Sequence, residues 1–412
     1  MAAWPTKRMD QLCEITSSKR IFAADYVSEG VPFYRGREVT EKYKGNLDVS
    51  TELFITEEKF VEFERKFGAP KLGDLLLTSV GTLGSVYVVK PGDRFYFKDG
   101  NLTWFRNFKG LDSQFLFYWI GSPQGKAELQ KCTIGSSQSA FTIVLLKGIE
   151  IALPTLPVQP RIATILSAYD ELIENSQRRI KILETMARSL YREWFVRFRF
   201  PGHENHPRVA SAFGDIPQGW EVKRVTDAMY VNPRVVVSRE GEKPFVPMSC
   251  LSNDSMLITD VELRTGNSGT KFQNGDTLFA RITPCLENGK TGYVQFLPDS
   301  AAVAFGSTEY IVLRSHTLTP EFVYCMSRSD EFRGIAIKSM SGATGRQRVQ
   351  EKCFDDFLIA QAPKSLLDQF AAIVSPSFKL IYTLHLQIQN LRRTRDLLLP
   401  RLLSGQIAGE AP

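Results

Sequence analysis

Two stretches of the chain place apolar residues in a four-three alternation sustained over more than four heptads. The first runs Ile162, Leu166, Tyr169, Ile173, Ser176, Ile180, Leu183, Ala187, Leu190 and Trp194, with Ser176 its one polar member. Arg178, Arg179, Lys181, Glu184 and Arg188 stand between those positions. The second keeps the same phase about 208 positions later: Phe370, Val374, Ser377, Ile381, Leu384, Ile388, Leu391, Arg395, Leu398 and Leu402. The spacing predicts two helical arms, each with one narrow apolar seam and a length on the order of 50 Å. Pro160 suits a first helical turn. Pro376 predicts a kink or a restart capped by Ser375, and Pro400 predicts a bend or an end before Leu402.

Outside the arms the periodicity is mixed. Leu75–Ser79 and Gly84–Lys90 read as strands bounded by Gly, Pro and Asp. The aromatic block Phe115–Ile120 and its counterpart Phe322–Met326 fit either a buried helix or a strand. Phe195–Phe200 shifts to alternation by two, and the Pro, Gly, His and Asn-rich stretch after it reads as an exposed connector. The divisions follow: mixed domains over 1–153 and 216–356, helical regions over 154–200 and 357–412, and a linker over 201–215.

These parts form a duplicated unit. Trp4, Lys7 and Arg8 return as Trp220, Lys223 and Arg224; Gly73-Asp74 returns as Gly275-Asp276; Phe97 and Arg106 return as Phe305 and Arg314. The offset stays between about 202 and 216. The predicted fold class is α+β: two similar mixed domains separated by two long helices in an antiparallel coiled coil, with a pseudo-two-fold repeat. The alternative, in which each arm packs on its own domain, is less consistent with a narrow seam that occurs twice. Antiparallel pairing sets a register. Ile162 opposite Leu402 puts Phe370 opposite Trp194 and Arg395 opposite Tyr169, a cation–π contact. The bar so formed exceeds one turn of B-DNA, about 34–36 Å.

Composition adds limits. The formal net charge of +6 permits a polyanionic partner without demanding one. No apolar run reaches transmembrane length, and the first residues carry no secretory pattern, which predicts a cytoplasmic protein without a membrane partner. Cys13, Cys132, Cys250, Cys285, Cys325 and Cys353 include no Cys-x-x-Cys pair, and His203 and His206 lie in a polar connector, so no metal site is expected.

Several segments resemble a known family. Leu153–Leu166, Asp170–Asn175, Leu190–Val196 and Arg199–Gly202 are similar to the central helical region of specificity subunits of type I restriction-modification systems, and Ala362–Ala371 with Leu399–Gly405 to their C-terminal helical region. The order of recognition domain, helix, recognition domain, helix is also that of the family. The resemblance implies a DNA-binding subunit with no catalytic residues and no cofactor of its own. Each target recognition domain would read half of a split, asymmetric sequence in double-stranded DNA. The paired helices would set the gap and dock two methyltransferase (modification) subunits, which use S-adenosylmethionine. Restriction/translocase subunits would add ATP- and Mg-dependent cleavage.

Two loop types also resemble the family's. One holds Gly81, Thr82 and Gly84, with a longer counterpart from Arg281 to Lys290; the other holds Ser136, Ser137 and Gln138, matched by Thr344, Arg346, Gln347 and Arg348. Small hydroxyl residues, free N–H groups and arginines suit phosphate and base-edge contact. Hairpin glycines and solvated loop charges are the plainer alternative. Other chemistry finds little footing. Gly289-Lys290-Thr291 lacks the glycine a phosphate loop requires, and no methyltransferase tetrad, nuclease motif or nucleophilic triad appears. The competing functions are a stand-alone DNA methyltransferase or nuclease with unfamiliar motifs, and a two-headed protein-interaction scaffold.

Overall fold

The computed structural model describes residues 4–46, 49–135, 139–343 and 345–407. Two compact units emerge: one gathers the chain up to Glu174 with the stretch from Gln389 onward, and the other is Asn175–Ile388. Each unit holds one mixed α/β head and part of both arms.

The heads repeat one plan. In the first, a four-stranded antiparallel sheet runs Glu14–Thr16, Leu102–Arg106, Leu75–Thr78, Val86–Val88; in the second, Met229–Val231, Tyr310–Ser315, Thr277–Ala280, Thr291–Tyr293 takes the same order. Each head's other sheet contains one parallel pair, Phe33 beside Tyr96 in the first and Phe245 beside Phe305 in the second. Both aromatic blocks are helices, Ser113–Gly121 and Pro320–Ser327, each followed by a second helix. The caps repeat too. Asp112 and Thr319 accept from the third residue beyond them, at 2.8 and 3.3 Å, and Ser122 and Ser329 do so for the following helices. A two-stranded ribbon closes each head just before an arm: Thr6–Arg8 on Glu150–Ala152, and Glu221–Arg224 on Leu358–Gln361. The Trp-x-x-Lys-Arg repeat in the sequence is this closing strand.

The first arm, Val158–Tyr191, starts ahead of Pro160 and ends in a wide turn, Arg192–Val196. The second, Lys364–Leu403, is unbroken, against the expected kink at Pro376 and stop at Pro400. Both prolines sit on the exposed face, so the carbonyls their rings release, those of Ala372 and Asp396, can turn to water. Phe195–Phe200 forms no strand despite its alternation. Its phenylalanines instead surround Trp220, at ring distances of 6.0, 5.2 and 5.7 Å from Phe195, Phe198 and Phe200. The stretch after it holds a hairpin, Arg208–Ser211 on Gly214–Pro217.

All seam positions are buried or half-buried. In the first unit Ile162 and Leu166 share a core with Leu399, Leu402 and Leu403, and with Phe115, Leu116 and Trp119 of the head. The arm start therefore packs on its head and on the other arm together, and the two alternatives read from the sequence are both realised. In the second unit Trp194 meets Phe370 at 6.1 Å, the expected register. The Tyr169–Arg395 stacking is not formed. Arg395 pairs with the neighbouring Asp170, which also accepts from Tyr118 Oη at 2.7 Å. A charged acceptor in reach outcompetes a ring face. Gln159, fully buried, fastens the first arm's start. Its amide donates to Gly110 and Pro154 carbonyls at 3.1 and 2.9 Å and accepts from Asp112 N at 2.8 Å.

Asp170→Ala should lower stability by about 1–3 kcal/mol in urea unfolding, because half-buried Arg395 loses its acceptor on the other arm, keeping only the adjacent Asp396, and Tyr118 Oη loses its own. Adding Arg395→Met should recover part of that loss, since the half-buried cation then no longer needs a partner across the arms.

Candidate nucleic-acid interface

The second head brings together the two loop types that the sequence singled out, and in the first head the strand flanking one loop lies beside the other loop. In the first, the strand Leu75–Thr78 turns through Gly81-Thr82-Leu83-Gly84 and returns as Val86–Val88. Gly84 N donates to Thr78 O at 3.0 Å, and Ser85 N to Thr78 Oγ1 at 2.8 Å. Gly81 and Gly84 have φ of +83° and +85°, and a Cβ on either would meet nothing within 4 Å. These glycines serve the turn itself and leave its crest open, with Thr82 exposed there. Val80 bridges to Ala140, and Phe141 N donates to Ser79 O at 3.0 Å, so the strand Ala140–Phe141, itself paired with Thr133–Ile134, lies alongside. Ser136, Ser137 and Gln138 lie outside the described residues, as does Thr344.

The second head repeats the juxtaposition with a longer turn. Ile282 bridges to Arg348, Thr283 N donates to Gln347 O at 3.0 Å, Gln347 N donates to Thr283 Oγ1 at 3.0 Å, and Val349 N donates to Arg281 O at 2.8 Å. Side chains support this frame. Arg281 pairs with Glu351 at 2.9 Å and donates to Val349 O at 3.3 Å. Lys290 Nζ donates to Met248 O at 2.8 Å. Arg348 makes a forked pair with Glu309, at 2.9 and 2.7 Å, which holds the Glu309 carboxyl below its ordinary range. Arg346 is exposed, and its guanidinium has no partner among the described residues.

Sequence reasoning missed the residues that hold the long turn. Arg328 donates to the Gly289 and Asn253 carbonyls at 2.6 and 3.1 Å, and Arg333 to Leu286 and Glu287 at 2.9 and 3.2 Å. They sit on or beside the second head's helices, where an arginine reads as a solvated face. Burial lowers the Arg333 pKa, in keeping with that structural placement. No pattern in the sequence announces them.

The lookalikes resolve. Thr291 opens a strand, whereas a phosphate loop would need a helix there. His203 and His206 bond the Phe200 and Gln218 carbonyls, each at 2.8 Å. Among the described residues no cluster of His, Cys, Asp and Glu could hold a metal, and no helix is long and apolar enough to cross a membrane.

Residues 1–185 match the family model of the type I restriction modification DNA specificity domain. The chain is 26% identical to the type I restriction enzyme MjaIX specificity subunit of Methanocaldococcus jannaschii, over 99% of this chain and 94% of that one. It is 30% identical to the EcoEI specificity subunit of Escherichia coli over a shorter stretch, 41% of this chain and 29% of that one. In fold it is similar to the crystal structure of the type I restriction-modification S subunit from M. genitalium, with a TM-score of 0.59 at 14% identity, over 97% of this chain and 96% of that chain. Neither the stand-alone enzyme nor the protein-only scaffold finds support among these matches. The duplicated heads, the paired arms and these likenesses agree: the chain is similar over nearly its whole length to a type I restriction enzyme specificity subunit, and its first 185 residues match the family's DNA specificity domain.

Proposed function

We propose that each head, over residues 1–153 and 216–356, reads one half of a split target in double-stranded DNA, and that the arms set the gap between the halves. The repeated frame carries this reading: two heads share one strand order, and in each the chain just after Leu75–Thr78 or Thr277–Ala280 bridges to the segment after the paired helices, Val80 to Ala140 and Ile282 to Arg348. The turns differ in length and charge, which suits halves of different sequence. Thr82, Gly84, Ser136, Ser137 and Gln138 serve the first half-site. Arg281, Lys290, Thr344, Arg346, Gln347 and Arg348 serve the second. Within that set Arg281 and Lys290 shape the loop, and Arg346 is the side chain most open to a phosphate.

The arms dock the modification subunits. Ile165 and Leu172 on the first arm are 37% and 51% exposed, and their repeat counterparts Ile373 and Leu380 on the second are 54% and 36% exposed. Two matching apolar patches suit two copies of one partner. Those subunits supply the S-adenosylmethionine chemistry; restriction/translocase subunits supply the ATP- and Mg-dependent chemistry. The complex works in the cytoplasm.

The test is sequencing of methylated adenines in a host carrying this chain and its modification subunits. A gapped, two-part motif is expected, and a continuous motif would contradict the reading. Lengthening both arms by a heptad should change the gap and leave both half-sites as they were. Duplex affinity should fall steeply with salt. Arg346→Ala should flatten the log–log salt slope by about 0.9, one phosphate contact, with little change in unfolding midpoint. Glu309→Gln should steepen it by about 0.9, because Arg348 then lacks its internal counter-charge.

A further inference from the structure

Two carboxyl groups of the first arm face the heads. Asp170 belongs to the first unit and Glu184 to the second. Asp170 Oδ2 accepts from Tyr118 Oη at 2.7 Å. Glu184, 2% exposed, accepts from Tyr324 Oη at 2.5 Å, Ser255 Oγ at 3.1 Å and Met256 N at 3.1 Å. Tyr118 and Tyr324 occupy matching helices of the two heads, Ser113–Gly121 and Pro320–Ser327. Each head thus sets a tyrosine of this helix against an arm carboxyl, at positions one residue apart in the repeat: the tyrosines are 206 positions apart and the caps Asp112 and Thr319 are 207 apart. The carboxyls themselves are not repeat counterparts, because both come from the first arm.

Apolar packing alone would hold a head to its arm. The buried Glu184 carboxyl adds desolvation cost and needs its donors well placed, so it contributes direction more than adhesion; the half-buried Asp170 does so less steeply. Burial, followed by the adjacent carboxyl, raises both phenol pKa values well above the ordinary tyrosine range. Both tyrosines thus stay donors at any working pH. Arg395 adds the second arm to the first of these junctions.

We propose that Tyr118–Asp170 and Tyr324–Glu184 are orientation latches: each fixes the angle at which its own head leaves the arm, and the two together narrow the gap accepted between half-sites. The proposal rests on the split-target reading above. One extra base pair moves a half-site by about 3.4 Å and turns it by about 34–36°. A head that can swivel should tolerate that displacement better than a latched one.

The test is methylome sequencing in a host carrying the full chain with its modification subunits, comparing wild type with Tyr118→Phe, Tyr324→Phe and Tyr310→Phe. Tyr310 Oη donates to Pro247 O at 2.8 Å inside the second head and touches no arm, so its loss removes a buried tyrosine hydrogen bond without a latch. Either latch substitution should raise methylation at sites with one base pair more or less in the gap by about tenfold, the scale of one charge-assisted hydrogen bond, with both half-sites unchanged. Tyr310→Phe should leave the gap profile as in wild type. Glu184→Gln, which keeps an acceptor for Tyr324, should retain a narrower gap than Glu184→Leu. Should Tyr324→Phe fail to accumulate, Tyr118→Phe decides the matter alone. A wild-type gap profile in the latch variants, or equal widening in Tyr310→Phe, would overturn the latches. The absence of any gapped motif in wild type would instead sink the split-target reading and the latches with it.

Discussion

Contact between the start of one helical arm and the end of the other is the constraint on which the rest depends. In the first unit Ile162 and Leu166 meet Leu399, Leu402 and Leu403; in the second Trp194 and Phe195 meet Phe370. Each large side chain so buried contributes about 1.5–3 kcal/mol relative to exposure. The same side chains also reach their own heads: Ile162 joins a core with Phe115 and Trp119, and Phe195 packs on Phe322 at 4.8 Å. Loosening an arm therefore loosens the head beside it. The closing ribbons reinforce this coupling, because each ends where an arm begins.

The two copies share a frame and differ around it, as the proposed reading of two different half-sites requires. Their four-stranded sheets keep one order and their paired helices keep one capping scheme. Around the second sheets they part. The first head carries helices Gly36–Tyr43 and Glu57–Phe67. The second has the short turn Met248–Cys250, and its four strands pair in another order, with Thr270–Phe272 beside Ala304–Gly306 where the first head sets Tyr26–Val27 beside Phe54–Ile55. Buried aspartates at matching places take different partners: Asp74 accepts from the Trp104 indole at 2.9 Å, and Asp276 pairs with Arg314 at 2.6 Å. The frame is held common while its surface and some of its internal links change.

Much of this was legible because it rests on periodicity. A seam such as Ile162–Leu166–Ile173–Ile180 has one stable use, and its recurrence at Phe370 supplied the partner. The Trp194–Phe370 contact followed from symmetry alone. Arg395 shows where that reasoning ends: an offset places it beside Tyr169, but side-chain chemistry chose Asp170, one residue on. Pro376 and Pro400 mislead because a proline's effect depends on which face of the helix it occupies. Phe195–Phe200 misleads because alternation also serves three rings around one tryptophan. The candidate interface was legible as loops and not as roles, since Arg281, Lys290 and Arg346 are alike in sequence and differ only in what stands near them. Glu184 gave no sign at all, being one acidic residue on a charged helix face until Tyr324 is in view.

A double-mutant cycle on Trp194→Ala and Phe370→Ala, read by unfolding of the full chain, tests the arm pairing most directly. Paired arms predict a coupling energy of about 0.5–1.5 kcal/mol between the two rings. Strictly additive losses, with no coupling, would show that the arms do not meet there and would contradict the account.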